Sequence, residues 1–226
     1  FCHADGIKVV PRGAGTSLSG GALPLADAVL VGLGKFNRIL DIDYANRCVV
    51  AQPGVTNLAI THAVQDNGFY YAPDPSSQIA CSVGGNVAEN SGGVHCLKYG
   101  LTTNNLLGIE FVTIEGEVLR LGGKHLDAGD YDLMGVMTGS EGLLGIVSEV
   151  TLRILQKPAT QRALLVGFDD TGSAAKAVGD VIGAGIIPAG MEMMDGLAIN
   201  AAEDFANAGY PRGAAALVII ELDGPE

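Results

Sequence analysis

Residues 11–21 place glycines, hydroxyl side chains and one arginine in a single short stretch. The stretch reads Pro-Arg-Gly-Ala-Gly-Thr-Ser-Leu-Ser-Gly-Gly and directly follows the apolar run 7–10. Glycine lets the main chain adopt positive φ angles and come close to a ligand. Successive main-chain N–H groups in such a loop can point inward and bind an anion. The stretch therefore predicts a strand followed by a phosphate-binding loop, although an ordinary glycine-rich turn has the same composition.

Two well-known nucleotide-binding motifs do not fit this loop. The Walker motif needs Gly-Lys followed by Ser or Thr, and the loop carries no such triplet. The motif Gly-x-Gly-x-x-Gly has to open a helix. Here Pro24 and the apolar run 28–33 predict a second strand instead. Main-chain donors, helped by hydroxyls and by Arg12, are the chemistry that remains for binding a phosphate.

A second glycine-rich segment, residues 73–100, carries complementary chemistry. Its glycine pairs at 84–85 and 92–93 allow close backbone approach at two places. Asn86 and Asn90 offer both donors and acceptors, which suits the edge of a polar heterocycle. Two loops of this kind favour a long ligand with phosphates at one end and a polar ring at the other. A dinucleotide fits that description.

Several motifs together resemble one group of flavoproteins. The chain is similar to the vanillyl-alcohol-oxidase/PCMH-type FAD-binding flavoproteins, and within them to the glycolate oxidase D-subunit and FAD-linked D-lactate (D-2-hydroxyacid) dehydrogenase group. The order and spacing of the motifs make the resemblance specific, and it covers essentially the whole chain. The matching motifs are residues 9–21, 52–55, 73–77, 84–93, 97–100 and 139–147.

The resemblance implies an α+β fold in two parts. Residues 1–157 would form a β-rich α+β FAD-binding domain of the PCMH type that lacks its amino-terminal part. Residues 158–226 would begin a ferredoxin-like α+β cap domain, which covers the flavin and contacts the substrate. Lys157-Pro158 marks the expected boundary. We expect the chain to be a fragment that ends within the cap domain.

The resemblance also assigns the cofactor contacts. Residues 12–21 would wrap the FAD pyrophosphate, and residues 73–77 and 82–93 would lie along the pyrophosphate and the isoalloxazine ring. Residues 141–147 would complete the pocket near the adenosine or the ring edge. The predicted contacts are Arg12, Gly13, Ala14, Gly15, Thr16, Ser17, Gly20, Gly21, Pro53, Gly54, Pro73, Asp74, Ser76, Ser77, Ser82, Val83, Gly84, Gly85, Asn86, Ala88, Glu89, Asn90, Gly92, Gly93, Tyr99, Gly100, Glu141, Gly142, Gly145, Ile146 and Val147.

The mode of flavin attachment follows from one position. In some members of the family, a histidine in the pyrophosphate loop is joined covalently to the flavin. Thr16 stands at the corresponding place in this chain. The resemblance therefore implies non-covalent FAD.

The activity implied by the resemblance is an FAD-dependent dehydrogenase. It would oxidise a D-2-hydroxy acid such as glycolate, D-lactate or D-2-hydroxyglutarate by hydride transfer to flavin N5. Electrons would pass to a quinone, a cytochrome, an electron-transfer flavoprotein or a partner oxidase subunit. The family's catalytic base and metal ligands lie in its carboxy-terminal part, so no catalytic residue and no metal ligand is assigned. The chain by itself is expected to be inactive.

Three alternatives stay open. The chain could belong to another FAD-linked oxidase or reductase of the superfamily, such as an aldonolactone oxidase or the peptidoglycan enolpyruvyl reductase. It could be a non-catalytic flavin-binding subunit of a multi-subunit oxidase. The third alternative is a phosphate-binding module without flavin, against which the missing Walker lysine counts.

Composition excludes some classes of partner. A net charge of -12 argues against nucleic-acid binding, because phosphate contacts need clustered Lys and Arg. No apolar run is long enough for a membrane helix, and no signal-peptide pattern opens the chain. The four cysteines form no Cys-x-x-Cys pair and predict reduced thiols. We expect a cytoplasmic protein or one peripheral to the inner membrane.

His95 is the histidine that falls beside these motifs. A histidine next to a flavin can orient substrate or move a proton. A loop histidine that is simply hydrogen-bonded to the backbone is the alternative. The other histidines stand alone in the sequence and are predicted to be non-catalytic.

The apolar patterns and turn signals predict the elements that position these loops. Thr56 is expected to cap a helix that runs to Asn67 and stops at Gly68. A hairpin is predicted around Glu115-Gly116, with strands at 106–114 and 117–122. The remaining predicted strands are 7–11, 28–33, 38–43, 47–51, 145–155, 162–168, 187–194 and 214–222, and the remaining predicted helices are 172–184 and 196–208.

Overall fold

The structure is a computed structural model that describes residues 1–125 and 131–225. Its internal contacts divide the chain into two compact units. Unit 1 comprises Phe1–Gly93 and Gly100–Lys157, and unit 2 comprises Val94–Tyr99 and Pro158–Glu226. The short segment Val94–Tyr99 therefore leaves unit 1 and returns to it.

Both units contain strands and helices. In chain order, the elements are β1 (Lys8–Arg12), β2 (Ala28–Gly32), β3 (Ile39–Asp43), β4 (Cys48–Ala51), α1 (Asn57–Val64), a 3₁₀ turn (Gln65–Asn67), β5 (Phe69–Tyr70), α2 (Val83–Glu89), α3 (Cys96–Tyr99), α4 (Thr102–Asn105), β6 (Leu106–Val112), β7 (Val118–Gly122), α5 (Leu133–Met137), β8 (Ile146–Arg153), β9 (Leu155–Gln156), β10 (Thr160–Phe168), α6 (Thr171–Gly183), β11 (Gly190–Asp195), α7 (Gly196–Ala206) and β12 (Ala216–Gly224).

Unit 1 is built on a five-stranded antiparallel sheet. Its strand order is β3-β4-β8-β6-β7. The predicted hairpin is confirmed, since β6 and β7 pair from Gly108 opposite Gly122 to Val112 opposite Val118. The predicted first two strands are also present, and β1 pairs with β2 in parallel. A short antiparallel pair, β5 and β9, completes the sheets that are described in this unit.

The core of unit 1 lies between this sheet and helices α1 and α2. Val150 and Leu152 of β8 are fully buried. Ile60 of α1 and Val87 of α2 are fully buried on the same cluster. The helix that carries the second glycine-rich segment is therefore fixed against the sheet by apolar contacts, which is the largest favourable contribution available to a small domain.

The predicted helix from Thr56 to Asn67 is present as α1 and the 3₁₀ turn. It ends as predicted, because Gly68 has a φ of 76° in the left-handed region. The predicted cap is wrong in one respect, since Thr56 occupies the N-cap position but makes no side-chain capping bond. The Leu58 N–H, which is one of the donors that a capping side chain would accept, donates instead to the Gln78 carbonyl oxygen at 3.0 Å. The start of α1 is thus tied to the second glycine-rich segment.

Unit 2 has the predicted order of strand, helix, strand, helix, strand. Its antiparallel sheet has the order β10-β12-β11. Ala216 and Val218 of β12 are buried beneath Ala174 of α6. The middle strand in sequence, β11, begins at Gly190 and so starts later than predicted. Pro188 lies just before it and has no N–H to donate to a strand partner.

The position of β8 at the centre of the unit 1 core predicts a stability effect. Replacing Leu152 with Ala should lower the free energy of unfolding by about 2–5 kcal/mol, because it removes a fully buried side chain. Leu119→Ala on the edge strand β7 is the matched control, since Leu119 is 41% exposed. Urea unfolding followed by circular dichroism measures both. Equal stability of the two variants would contradict the central position of β8.

Candidate functional site

Three segments of unit 1 meet around a cleft of about 340 Å³. The first is the loop that follows β1, residues 12–22. The second is Ser82 together with helix α2, and the third is the stretch 140–147 that leads into β8. The two glycine-rich segments that were singled out in the sequence therefore line one cavity.

The loop after β1 presents unpaired main-chain donors. The N–H groups of residues 13–18 donate to no acceptor among the described residues. Gly15 has a φ of 73°, which turns the loop through the left-handed region. A curved run of free N–H groups is suited to hold an anion. The predicted phosphate loop therefore has the donors that its chemistry requires.

The charged side chains that line the cleft give it a net negative charge, which is unfavourable to anions. Arg12 folds over its own loop, because a Cβ built on Gly15 would lie 2.7 Å from an Arg12 guanidinium nitrogen. Glu89 and Glu141 also line the cleft. Among the described lining residues, one cation therefore faces two carboxylates. Main-chain donors have to provide most of the binding of an anionic ligand.

Helix α2 does not offer its first-turn donors to a ligand. Ser82 caps the helix by accepting a hydrogen bond from the Gly85 N–H at 3.3 Å. The N–H groups of Val83 and Gly84 donate at 2.9 and 2.8 Å to main-chain carbonyls of the segment 53–55. All three donors are used within the protein. An anion in this cleft would be held by the loop after β1.

The two glycine-rich segments touch at Gly13 and Ser82. A Cβ built on Gly13 would lie 2.5 Å from the Ser82 hydroxyl oxygen, too close for any real contact. A side chain at position 13 would therefore displace the Ser82 hydroxyl from its present position. The same hydroxyl caps α2, so this contact fixes the loop relative to the helix.

Asn86 supplies an unpaired polar group in the wall of the cleft. Its side chain is 1% exposed, and its amide nitrogen has no hydrogen-bond partner in the described part of the chain. A buried polar atom left in this way costs about 1–3 kcal/mol. A polar ligand atom in the cleft would remove that cost, which makes Asn86 a candidate ligand contact.

The third segment is held in an unusual backbone conformation. Gly139 and Gly142 have φ angles of 82° and 76°, and Glu141 between them has a φ of 54°. A non-glycine residue in this region costs about 1–3 kcal/mol. Two hydrogen bonds stabilise the turn, from the Gly139 N–H to the Val87 oxygen and from the Glu141 N–H to the Ala88 oxygen, both at 2.8 Å. The turn is therefore anchored to α2.

A second chamber of about 780 Å³ adjoins the first. The two share Pro11, Gly21, Gly145 and other residues of the third segment. The second chamber is mainly apolar, and its lining includes Val9, Val10, Leu23, Leu25, Val112 and Ile114. A chamber that offers main-chain donors, next to a more apolar chamber, suits a ligand that joins phosphates to a planar ring.

Two family profiles match the chain. The FAD binding domain matches residues 1–122, which is more than half of the chain. The carboxy-terminal domain of FAD linked oxidases matches residues 157–226. The chain belongs to the FAD-binding domain family. The predicted resemblance to PCMH-type FAD flavoproteins is thereby confirmed, together with the α+β fold class and FAD as the cofactor of this fold.

The curated relatives of the chain agree with this family assignment. The chain is 59% identical over 225 residues to glycolate oxidase subunit GlcD of Escherichia coli strain K12, covering all of this chain and 45% of the relative. It is 42% identical over 226 residues to GlcD of Bacillus subtilis strain 168, covering all of this chain and 48% of the relative. The chain thus spans about half the length of the curated relatives that it matches.

A further curated relative and a solved structure are also similar to the chain. D-lactate dehydrogenase of Anaerostipes hadrus is 33% identical over 228 residues, with all of this chain and 46% of that protein covered. A solved structure of alkyldihydroxyacetonephosphate synthase superposes with a TM-score of 0.87 at 21% identity, covering 100% of this chain and 44% of the other. The latter likeness shows that the fold is shared.

FAD fits the chemistry of this site in the FAD-binding domain. The free N–H groups of residues 13–18 would bind a pyrophosphate, and the unpaired amide of Asn86 would bind a polar atom of the cofactor. The adjoining apolar chamber offers room for a ring. These three features belong to unit 1 alone.

Many of the predicted cofactor contacts line these chambers. Gly20 lies in the second chamber. Those that line the first chamber are Arg12, Gly13, Ala14, Gly15, Thr16, Ser17, Gly21, Ser77, Ser82, Gly84, Gly85, Asn86, Ala88, Glu89, Glu141, Gly142, Gly145, Ile146 and Val147.

The other predicted contacts lie outside both chambers, and their binding roles stay predictions. Several instead support the protein's own chain. A Cβ on Gly54 would clash with the Phe36 carbonyl oxygen. Asn90 ends α2 with a φ of 53°, and its side-chain oxygen accepts from the Thr103 N–H at 3.0 Å. The residues outside are Pro53, Gly54, Pro73, Asp74, Ser76, Val83, Asn90, Gly92, Gly93, Tyr99 and Gly100.

Some residues of the first chamber were not among the individually predicted contacts, although Leu18, Ser19 and Ser91 fall within the predicted ranges 12–21 and 82–93. Ser19 and Ser91 fall inside the quoted motifs, so the motifs themselves carried the signal. Leu33 and Met137 carry no sequence signal, because apolar residues of this kind are typical of any core. The unpredicted lining residues are Pro11, Leu18, Ser19, Ala22, Leu33, Cys81, Ser91, Met137 and Ser140.

His95, the histidine that falls beside the motifs, has a side-chain partner. In unit 2, the His95 ring nitrogen Nε2 lies 3.1 Å from the Glu221 carboxylate.

No disulfide joins the four cysteines. Within residues 1–125 and 131–225, no group of three or more His, Cys, Asp or Glu side chains is placed to hold a metal ion. None of the helices in these ranges has the length and apolarity to cross a membrane.

The contact between Gly13 and Ser82 predicts non-additive stability effects. Gly13→Ala should force the Ser82 hydroxyl to rotate and lose its cap on α2, which costs about 1 kcal/mol. Ser82→Ala should cost a similar amount. In the Ser82→Ala background, Gly13→Ala should cost almost nothing more, because the clashing oxygen is gone.

Urea unfolding of the two single variants and the double variant measures this coupling. Gly34→Ala is the matched control, since a Cβ there meets no atom within 4 Å. Fully additive costs for Gly13→Ala and Ser82→Ala would contradict the contact.

Proposed function

We propose that the chain is the flavin-binding part of an FAD-dependent dehydrogenase that oxidises a D-2-hydroxy acid. The observation that carries the substrate class is the 59% identity to glycolate oxidase subunit GlcD over the whole chain. D-lactate dehydrogenase and D-2-hydroxyglutarate dehydrogenase are further relatives, at 33% and 35% identity. The substrates in the names of these three relatives are all short acids with a hydroxyl at carbon 2.

Bound FAD would supply the redox chemistry, since its N5 atom accepts a hydride from the substrate α-carbon. The chain's own residues bind and orient the cofactor. The N–H groups of residues 13–18 hold the pyrophosphate, and Arg12 adds one charge beside them. Asn86 donates its free amide to a polar acceptor of the cofactor. The capped helix α2 keeps that amide in place.

The two carboxylates of the cleft select hydroxyl groups. Glu89 and Glu141 accept hydrogen bonds when ionised and repel phosphate. In a site for FAD they would suit hydroxyl groups of the ribose or the ribityl chain. Their charge also keeps the pyrophosphate at the loop after β1.

Flavin attachment in this proposal is non-covalent. Loop 12–21 contains no histidine and no cysteine, and Thr16 stands where covalent relatives carry histidine. The proposed domains are residues 1–157 for FAD and 158–226 for the start of the cap. The division of the chain at Lys157 and Pro158 supports this boundary.

The whole protein would pass its electrons to a separate acceptor. A quinone, a cytochrome, an electron-transfer flavoprotein or a partner oxidase subunit are the proposed acceptors. The word subunit in the name of the GlcD relatives favours a partner chain. A non-catalytic flavin-binding subunit is therefore the second candidate function. A cytoplasmic site of action, or one peripheral to the inner membrane, stays a prediction.

Flavin binding predicts a visible spectrum. The purified chain, supplied with FAD and freed of excess, should show flavin absorption bands, and acid precipitation should release them into the supernatant. Bands that stay with the pellet would contradict non-covalent binding. A colourless chain that takes up no FAD would contradict the cofactor site.

The proposed substrate class predicts which acids reduce the bound flavin. With the complete protein and no oxygen, glycolate, D-lactate or D-2-hydroxyglutarate should bleach the flavin bands, and L-lactate and L-2-hydroxyglutarate are the matched controls. Bleaching that starts only after a partner subunit is added would favour the second candidate. A flavin that no short D-2-hydroxy acid reduces, with or without a partner, would contradict the dehydrogenase.

A further inference from the structure

The turn 139–142 in unit 1 combines a left-handed backbone with a charged side chain. Gly139, Glu141 and Gly142 have φ angles of 82°, 54° and 76°. Glycine adopts this region freely, whereas a residue with a Cβ does so at a cost. Glycine at position 141 would therefore relax the turn. The chain has glutamate there instead, and the backbone alone gives no reason for it.

Contacts on two sides hold the turn in this conformation. The Glu141 N–H donates to the Ala88 oxygen of α2 at 2.8 Å. On the other side, a Cβ built on Gly142 would lie 3.0 Å from a side-chain carbon of Pro11 in β1. The turn therefore joins α2 to the strand that leads into the anion-binding loop, all within unit 1. The Cα–Cβ bond of Glu141 is fixed in direction by these contacts.

The Glu141 carboxylate lies at the end of that loop without a protein partner. One of its oxygens is 3.8 Å from a Cβ built on Gly21. Within residues 1–125 and 131–225, this carboxylate makes no hydrogen bond and no ion pair. An ionised carboxylate can only accept hydrogen bonds. It is therefore available to a ligand group that donates one.

Glu141 also marks the junction of the two chambers. It lines both of them, whereas Glu89, the other carboxylate of the cleft, lines only the first. The first chamber contains the free N–H groups and the unpaired Asn86 amide, and the second is mainly apolar. In FAD, a sugar with free hydroxyl groups connects the pyrophosphate to each of the two rings. A cofactor that spans both chambers therefore places hydroxyl groups at Glu141.

We propose that Glu141 determines the specificity of the cofactor cleft by accepting a hydrogen bond from a sugar hydroxyl at the junction of the two chambers. This inference rests on the proposed function, since it supposes that FAD lies in the cleft. A hydrogen bond to a charged acceptor is strong enough to offset the strain of a left-handed residue. A phosphate at the same place is repelled. The hydroxyl belongs to the ribose or to the ribityl chain, which offer the same chemistry.

The first test compares affinity with stability in the 226-residue chain. Glu141→Gly should raise the FAD dissociation constant about tenfold, because a hydrogen bond to a charged group is lost. It should also raise the melting temperature of the FAD-free chain by about 2–4 °C, because the strain is relieved. Glu141→Gln keeps the left-handed residue, so it should weaken FAD binding without changing the melting temperature. Quenching of flavin fluorescence and thermal circular dichroism measure the two quantities.

Arg47→Gly is the matched control in the same unit. Arg47 has a φ of 52° in the turn between β3 and β4, and it lies outside both chambers. Its replacement relieves the same kind of strain. It should therefore raise the melting temperature by a similar amount and leave the FAD dissociation constant unchanged.

Three smaller ligands, measured by competition with FAD, identify the group that Glu141 binds. Inorganic pyrophosphate has no sugar, so its affinity should not fall in Glu141→Gln. ADP carries the ribose, and riboflavin carries the ribityl chain. Loss of affinity for ADP in this variant would assign the hydroxyl to the ribose, and loss of affinity for riboflavin would assign it to the ribityl chain.

Several outcomes would overturn the inference. Wild-type FAD affinity in Glu141→Gly and Glu141→Gln would do so, while FAD binding itself would stand. An equal loss of affinity for pyrophosphate would show that Glu141 acts on the anion-binding loop and not on a sugar. An equal loss of FAD affinity in Arg47→Gly would show a general effect of the glycine substitution. Failure of the wild-type chain to bind FAD would overturn the proposed function and this inference with it.

Discussion

The contact between Gly13 and Ser82 is the constraint on which the cofactor site depends. The Ser82 hydroxyl occupies the space that a Cβ on residue 13 would need, and the same oxygen caps helix α2. One side chain thus sets both the start of the helix and the distance to the loop after β1. Glycine at position 13 leaves the Ser82 hydroxyl in the position from which it caps α2.

This arrangement determines where the cleft can bind an anion. Because α2 uses its first-turn N–H groups within the protein, the free donors lie on the loop at residues 13–18. The side chains of Glu89 and Glu141 oppose an anion elsewhere in the cleft. An overall charge of -12 is compatible with a phosphate ligand for the same reason, since the attraction is local and made by the main chain.

Local signals in the sequence predicted much of the fold. The β6–β7 hairpin and the order of unit 2 follow from alternating apolar residues and from turns at Gly and Pro, which act over a few residues. The family motifs predicted which loops line the cleft. They did not separate glycines that face the cleft from glycines such as Gly54, which make room for the protein's own backbone.

Long-range pairings could not be predicted in this way. The segment Val94–Tyr99 belongs to unit 2, where His95 and Lys98 pair with carboxylates more than a hundred residues further along the chain. The Thr56 hydroxyl makes no capping bond, and the Leu58 N–H that it could accept donates instead to the Gln78 carbonyl oxygen, which comes from a later segment. In both cases, tertiary partners replaced the local interaction that the sequence suggested.

Hydrogen–deuterium exchange with and without FAD tests the central claim most directly, because it reports which main-chain donors the ligand uses. The account predicts that FAD slows exchange at residues 13–18, whose N–H groups are free. It predicts little change at Val83, Gly84 and Gly85, whose N–H groups are already bonded within the protein. Protection at the start of α2 without protection of residues 13–18 would contradict it.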